Sequence, residues 1–114
     1  MIAVIFEVCI ADGKQEQYLA FAQTLREQLV QIDGFISIER FQSLSQPDKL
    51  LSLSYWRDEQ AVQTWRNMEQ HRQAQTAGRA SIFSDYCICV GDIVRRYTMQ
   101  ERNQVPLDSQ QALG

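Results

Sequence analysis

The residue pattern predicts an α+β domain with elements in the order β-α-β-β-α-β, a four-stranded antiparallel sheet carrying both helices on one face. Three observations carry that reading. Apolar residues alternate at a spacing of two in four stretches and recur at three- and four-residue steps in two others. Gly or Asp-Gly punctuation falls where the spacing changes. With 114 residues, 45% of them hydrophobic and 22% charged, there is room for one core and one domain.

Residues 2 to 10 form the first strand. Ile2, Val4, Phe6, Val8 and Ile10 share one face and Ala3, Ile5, Glu7 and Cys9 the other, so both faces are mostly apolar. Asp12-Gly13 breaks the pattern, and either residue can cap the helix that follows. From residue 14 to about 32, Tyr18, Phe21, Leu25, Leu29 and Ile32 fall at helical steps, with Ala22 beside them. Asp33-Gly34 stops that helix, Gly34 being suited to the left-handed C′ position.

Residues 35 to 44 alternate again and turn polar in their outer half, as at a sheet edge. Ser45-Gln46-Pro47-Asp48 is a turn by composition. Residues 50 to 56 form the third strand, with Leu51, Leu53 and Tyr55 on one face and Leu50, Ser52, Ser54 and Trp56 on the other. Asp58 is the N-cap of the second helix. Its buried stripe is Ala61, Val62, Trp65 and Met68, continued by His71, Ala74, Gln75 and Gly78, a face made mostly of small residues; Gly78 ends the helix. Residues 82 to 97 form the fourth strand, with Gly91-Asp92 expected as a bulge. The domain so defined covers residues 1–98. Residues 99–114, Gln-rich and containing Pro106, read as a flexible tail or an arm ordered only against a partner subunit.

This order is the ferredoxin-like arrangement, and it raises a physical problem. Its sheet leaves one face uncovered, yet strands one, three and four are apolar on both faces. An exposed patch of that size is avoided by monomeric soluble proteins. A homodimer packed sheet face to sheet face resolves it.

Other classes are disfavoured by composition. A net charge of −3 without a Lys/Arg cluster gives no phosphate footprint, so no nucleic acid is expected as a partner. Apolar runs of a few residues do not span a membrane. The first residues lack a basic stretch and a cleavage site, and three cysteines form an odd set, which points to reduced thiols in the cytoplasm. Phosphate loops, nucleophile elbows, HExxH and diagnostic carboxylate pairs are missing from the chain, and Cys9, Cys87 and Cys89 lack zinc-site spacing, so no metal is expected.

The side chains able to carry chemistry lie mainly on the second helix. His71 is the one side chain whose unperturbed pKa lies near neutrality; it is either a helix-surface or core-edge histidine with a satisfied hydrogen bond, or it faces a pocket between helix and sheet as a ligand-orienting donor, a proton-transfer group or an axial metal ligand. Trp65 belongs to the core stripe, or walls a planar ligand and offers its indole N–H. Arg79, Arg95 and Arg96 are surface charges or binders of an anionic or phenolate group. Glu7 and Asp85 sit at strand positions with nothing local to select them.

Tyr55-Trp56-Arg57-Asp58-Glu59-Gln60-Ala61-Val62, Trp65, Glu69-Gln70-His71, Ala74-Gln75, Gly78-Arg79, Asp85-Tyr86 and Val94-Arg95-Arg96-Tyr97 form an ordered set, with the Gly34-Phe35 step before it. Together they resemble the antibiotic biosynthesis monooxygenase domain family over roughly residues 2 to 98. The resemblance implies a dimeric α/β barrel built from two ferredoxin-like sheets, with a pocket between helices and sheet. One branch of that family oxidises polycyclic aromatic compounds with molecular oxygen and no metal or flavin. That branch requires no strict side-chain signature; around a small aromatic ligand we place Trp65 and His71 as catalytic residues, with Phe6, Tyr86, Gln75 and Arg79 contacting the substrate. A second branch degrades haem, using a first-strand Asn, a Trp and a His. Trp65 stands at that Trp position, but Phe6 occupies the Asn position and Gln75 the axial His position. A third reading is a non-enzymatic dimeric binder of a small ligand.

Overall fold

The computed structural model describes residues 1–75 and 82–113, with side chains described for residues 1–68 and 82–113. The elements are β1 (Ile2–Ile10), α1 (Gln15–Leu29), β2 (Phe35–Gln42), β3 (Lys49–Trp56), α2 (Glu59–Gln75), β4 (Phe83–Asp92) and a short α3 (Leu107–Leu113). All strand pairs are antiparallel, in the spatial order β2-β3-β1-β4. This is the ferredoxin-like sheet. It is open, with β2 and β4 as its edges.

Register decides which apolar set turns inward. Ile2, Val4, Phe6 and Val8 on β1 stand opposite Trp56, Ser54, Ser52 and Leu50 on β3. Along β3 those four are buried, while Leu51, Leu53 and Tyr55 between them are half-buried. Both helices cover the same face, in two clusters. Ile2, Val4 and Trp56 meet Leu29 of α1 and Ala61 and Val62 of α2. Val8, Ile10 and Leu50 meet Tyr18 and Ala22 of α1 and Ile82. The opposite face carries Ala3, Ile5, Leu51, Leu53 and Tyr55 with Phe41 and Cys89; no element of the described chain packs on Ile5, Phe41 or Cys89, which are exposed. The two-sided apolar pattern is therefore a property of the folded sheet.

Several boundaries differ from the sequence reading. Helix α1 starts after Lys14, whose side chain makes no capping bond; Asp12 and Gly13 form the preceding turn, with Gly13 at φ 75°. The helix ends at Leu29, so Gly34 is not its C′ residue. Gly34 does hold a positive φ of 95°, at the turn into β2. A Cβ there would stand 2.7 Å from the Ala61 Cβ, and the Gly34 carbonyl accepts the Arg57 amide at 2.7 Å. Glycine is required because the turn lies directly against the start of α2.

Strand β4 stops at Asp92, five residues short of its expected end, because β1 has no residue left to pair; the Ile93 amide bonds to the Met1 carbonyl and the ladder is finished. No bulge occurs at Gly91-Asp92, where register runs regularly against Ala3 and Ile2. The irregularity sits at the other end, where Cys9 opposes Asp85 and Ile10 opposes Phe83. Ser84 is the extra residue, and its hydroxyl donates to the Cys9 carbonyl at 3.2 Å. The segment read as a tail contains α3, a helix with no buried residue. The helix end expected at Gly78 lies outside the described residues.

Candidate functional site

The inward face of the sheet carries a ladder of side chains, covered by α2 and the end of α1 at one end and by α1 at the other. Across β4, β1 and β3 the rows on the helix-facing side are Val90–Val4–Ser54, Ile88–Phe6–Ser52 and Tyr86–Val8–Leu50. The β3 end of each row is buried, whereas Tyr86, Ile88 and Val90 on the edge strand are exposed, Tyr86 at 58%. An apolar strip is thus left open along β4, flanked by the two core clusters.

Aromatic rings line one end of the strip. Phe6 lies 5.9 Å from Tyr86 and 6.1 Å from Phe83, centroid to centroid, and Phe83 stands edge-on to Tyr18 at 5.7 Å. Edge-to-face and tilted pairs at these separations are favourable and rigid. At the other end Trp56, with no exposed surface, packs edge-on to Phe35 at 5.2 Å and beside Trp65 at 5.7 Å with a 34° tilt. Ser52 and Ser54 between them are buried and small.

Hydrogen bonding separates the two tryptophans. Trp56 Nε1 donates to Ser54 Oγ at 2.9 Å. Trp65 Nε1 is buried and has no acceptor among the described residues. A buried donor left unpaired costs about 1–3 kcal/mol, and such groups in native structures are accounted for by strain, a catalytic role, a water or an ion.

The first turn of α2 is fixed from outside. Asp58 Oδ1 accepts the Ala61 amide at 2.9 Å, as the N-cap expectation required. Arg57 grips Asp33 through two nitrogens at 3.2 and 3.1 Å and reaches Asp58 at 3.1 Å. The Ala61 amide and Arg57 hold the Asp58 carboxyl below the usual carboxylate range, and Arg57 does the same to Asp33. This clamp ties the turn after α1 to the first turn of α2. A separate open cavity of about 610 Å³ lies between α1 and α2, lined by Gln31, Ile32, Asp33, Gln60, Thr64 and Met68 among others. Trp65, Phe6 and Tyr86 take no part in its lining.

Of the expected site residues, Phe6 and Tyr86 are in direct contact, and Trp65 packs on the neighbouring cluster, which shares Val4 with the same ladder. His71 and Gln75 fall on the backbone of α2, but their side chains, and Arg79 entirely, lie outside the described residues. Sequence reasoning missed Phe83, and it missed the Ser54 bond that distinguishes the tryptophans. The Ser-Leu-Ser alternation of β3 was the available signal. Cys9, Cys87 and Cys89 are on the opposite face, where the Cys89 thiol holds Cys87 above the usual thiol range. Arg95 and Arg96 lie beyond the sheet.

The described residues thus form an open ferredoxin-like sheet with an apolar strip along β4 and two buried N–H groups, Trp65 Nε1 and Arg40 Nε, that have no acceptor among them. The chain belongs to the antibiotic biosynthesis monooxygenase family, whose model matches residues 1–77. It is 41% identical over 105 residues to a protein named jasmonate monooxygenase ABM from Pyricularia oryzae, a match covering 92% of this chain and 49% of that protein. The chain thus spans about half the length of that relative. Solved structures with the same fold include a candidate antibiotic biosynthesis monooxygenase from Deinococcus radiodurans, with a TM-score of 0.74 and 17% identity over 87% of this chain and 98% of that one. Rv0793 from Mycobacterium tuberculosis aligns with a TM-score of 0.72 and 15% identity, covering 85% of this chain and 98% of that chain. Among the described residues no helix is long and apolar enough to cross a membrane.

Proposed function

We propose that this chain is a monooxygenase that needs no metal or organic cofactor and acts on a small, mostly apolar ring compound bearing an ionisable hydroxyl. Trp65 Nε1, buried and without an acceptor among the described residues, is the observation that carries this reading. On the same side of the sheet as the open strip of Tyr86, Ile88 and Val90, it offers one directional donor in an apolar surrounding, a combination suited to orienting a substrate oxygen. The family supports the oxygenase class.

In this account a phenolic substrate lies along the strip, its ring on Phe6 and Tyr86 and its oxygen toward Trp65. His71 takes the phenol proton, a role suited to a group titrating near neutrality. The phenolate gives one electron to dioxygen, and the radical pair combines to a carbon-bound hydroperoxide. Loss of water then leaves a quinone. One oxygen atom enters the product, the other leaves as water, and the substrate supplies every electron. Gln75 and Arg79 contact the substrate in the same hypothesis.

The name of the Pyricularia relative favours a second substrate, jasmonate, a cyclopentanone with a carboxylate-bearing chain. Its ketone oxygen would accept the same Trp65 N–H. Haem fits less well. Phe6, packed between Phe83 and Tyr86, presents hydrocarbon where the haem-degrading branch has an amide. The apolar second sheet face supports a homodimer formed through it.

The test is an oxygen-electrode screen of phenolic polycycles, quinols and jasmonate, run beside Trp65→Phe and His71→Ala and paired with binding titrations. Uptake that needs a ring substrate and falls at least ~10-fold in either variant supports the proposal. Binding without uptake would leave the non-enzymatic binder, and a saturable haemin spectrum with breakdown products would favour haem.

A further inference from the structure

Each row of the inward face extends past β3 to the edge strand β2. Ile38 stands opposite Ser54, Arg40 opposite Ser52 and Gln42 opposite Leu50. The middle row therefore reads Ile88–Phe6–Ser52–Arg40 from one edge of the sheet to the other. It runs between the two core clusters: Val4 belongs to one and Val8 to the other, whereas Ser52 belongs to neither. Among the side chains of the three rows, Arg40 alone carries a charge.

That charge is poorly answered. Arg40 is half-buried, and its Nε is buried with no acceptor among the described residues. Nη2 donates to the Ala22 carbonyl of α1 at 3.5 Å, longer than an ordinary N–H···O bond. None of the ion pairs among the described residues includes Arg40. A guanidinium cannot shed its proton, so the charge stays, and holding it away from water without a counter-charge is costly. Its cross-strand neighbour Ser52 is buried, and the Ser52 hydroxyl makes no hydrogen bond to a described residue. Ser54, one row along, is already committed to Trp56.

Geometry selects the missing partner. Nε–H and the Nη2–H beside it form the side-on fork of a guanidinium, two parallel donors spaced for the two oxygens of one carboxylate. A single cation serves the row. A singly charged group matches it, whereas a phosphate dianion would bring an uncompensated charge into a half-buried place. We propose that Arg40 and Ser52 form a carboxylate-binding subsite for a small organic acid. The guanidinium fork takes both oxygens, and the Ser52 hydroxyl donates to one of them. Arg40 lies two strands from Phe6, about 10 Å backbone to backbone. An acid whose ring lies on Phe6 thus bears its carboxylate on a side chain and not on the ring itself. That last step rests on the oxygenase reading; the subsite does not.

The arginine Nε–H signals in nitrogen–proton correlation spectra of the full chain, titrated with phenylbutyrate and separately with its primary amide, test it. The Arg40 signal should move saturably with the acid, and the amide should bind at least ~10-fold more weakly. Arg40→Lys, which keeps the charge but not the fork, and Ser52→Ala should each weaken the acid at least ~3-fold and leave the amide unchanged. An Arg40 signal that stays in place at millimolar acid, or that acid and amide move equally, would overturn the proposal. So would inorganic phosphate that displaces the acid at equal concentration, or an Arg40→Lys chain that folds and binds the acid as the wild type does. The wild-type titration decides the matter even where a variant fails to fold. It involves no turnover, so an acid that binds here and is never oxidised would uphold the subsite while telling against the oxygenase.

Discussion

Trp56 and Trp65 lie ring beside ring, 5.7 Å apart, and differ in one hydrogen bond. The first is sealed in the core with its N–H on Ser54; the second holds a buried N–H with no acceptor among the described residues. Replacement by phenylalanine should separate them. Trp56→Phe loses packing and a satisfied bond and should lower stability by about 2–4 kcal/mol. Trp65→Phe loses packing but removes an unpaired buried donor, so its cost should stay below about 1.5 kcal/mol, while ligand binding weakens. Denaturant melts of the two variants in the ligand-free protein check this. Both tryptophans stood out in the sequence, but their difference did not. β3 is apolar on alternate residues of both faces, and only the register with β1 shows that Ser54 and Trp56 share the inward side.

At the scale of elements, the start of α2 is fixed by the Asp58 cap and the Arg57–Asp33 pair. Asp58 was legible as a cap because a carboxylate before an apolar helical stripe has few other uses. The Asp33–Arg57 fork was not, since it joins residues 24 positions apart. Asp58 and Asp33 titrate below their unfolded values, so their contribution is present above the unfolded pKa and is lost as pH falls through the folded one. Acid titration followed by circular dichroism should show wild-type stability falling below about pH 4. Asp58→Asn, which keeps a capping oxygen but not the charge, should show a smaller fall. Gly34→Ala combines a positive φ with a Cβ contact of 2.7 Å at Ala61, and should cost at least about 1–2 kcal/mol, read from thermal melts. The end of β4 was misjudged for a physical reason. Residues 93–97 keep strand-like composition, but β1 offers nothing further to pair with them.

The whole molecule has a covered face and an uncovered one, and the alternation of β1 and β3 announced both. Ile5 and Phe41 stand exposed, and Leu51, Leu53 and Tyr55 half-buried, on the side without helices. Leu53→Lys should place a charge at the centre of that face and shift a dimer to monomer in sedimentation velocity, leaving far-ultraviolet dichroism unchanged. A Leu53→Lys chain that sediments as the wild type does would remove the sheet-face dimer. Element order was readable because periodicity and Gly punctuation are local signals. The site was readable only in part, because it is assembled across three strands and a helix. In the proposed reaction substrate electrons alone reduce dioxygen. The direct measurement is mass spectrometry of the product formed by metal-free protein under isotopically labelled dioxygen, with a substrate from the screen. One labelled oxygen atom is expected in each product molecule and the other in water, without added reductant or haem. Product carrying no label, or turnover that requires a reductant or haem, would contradict it.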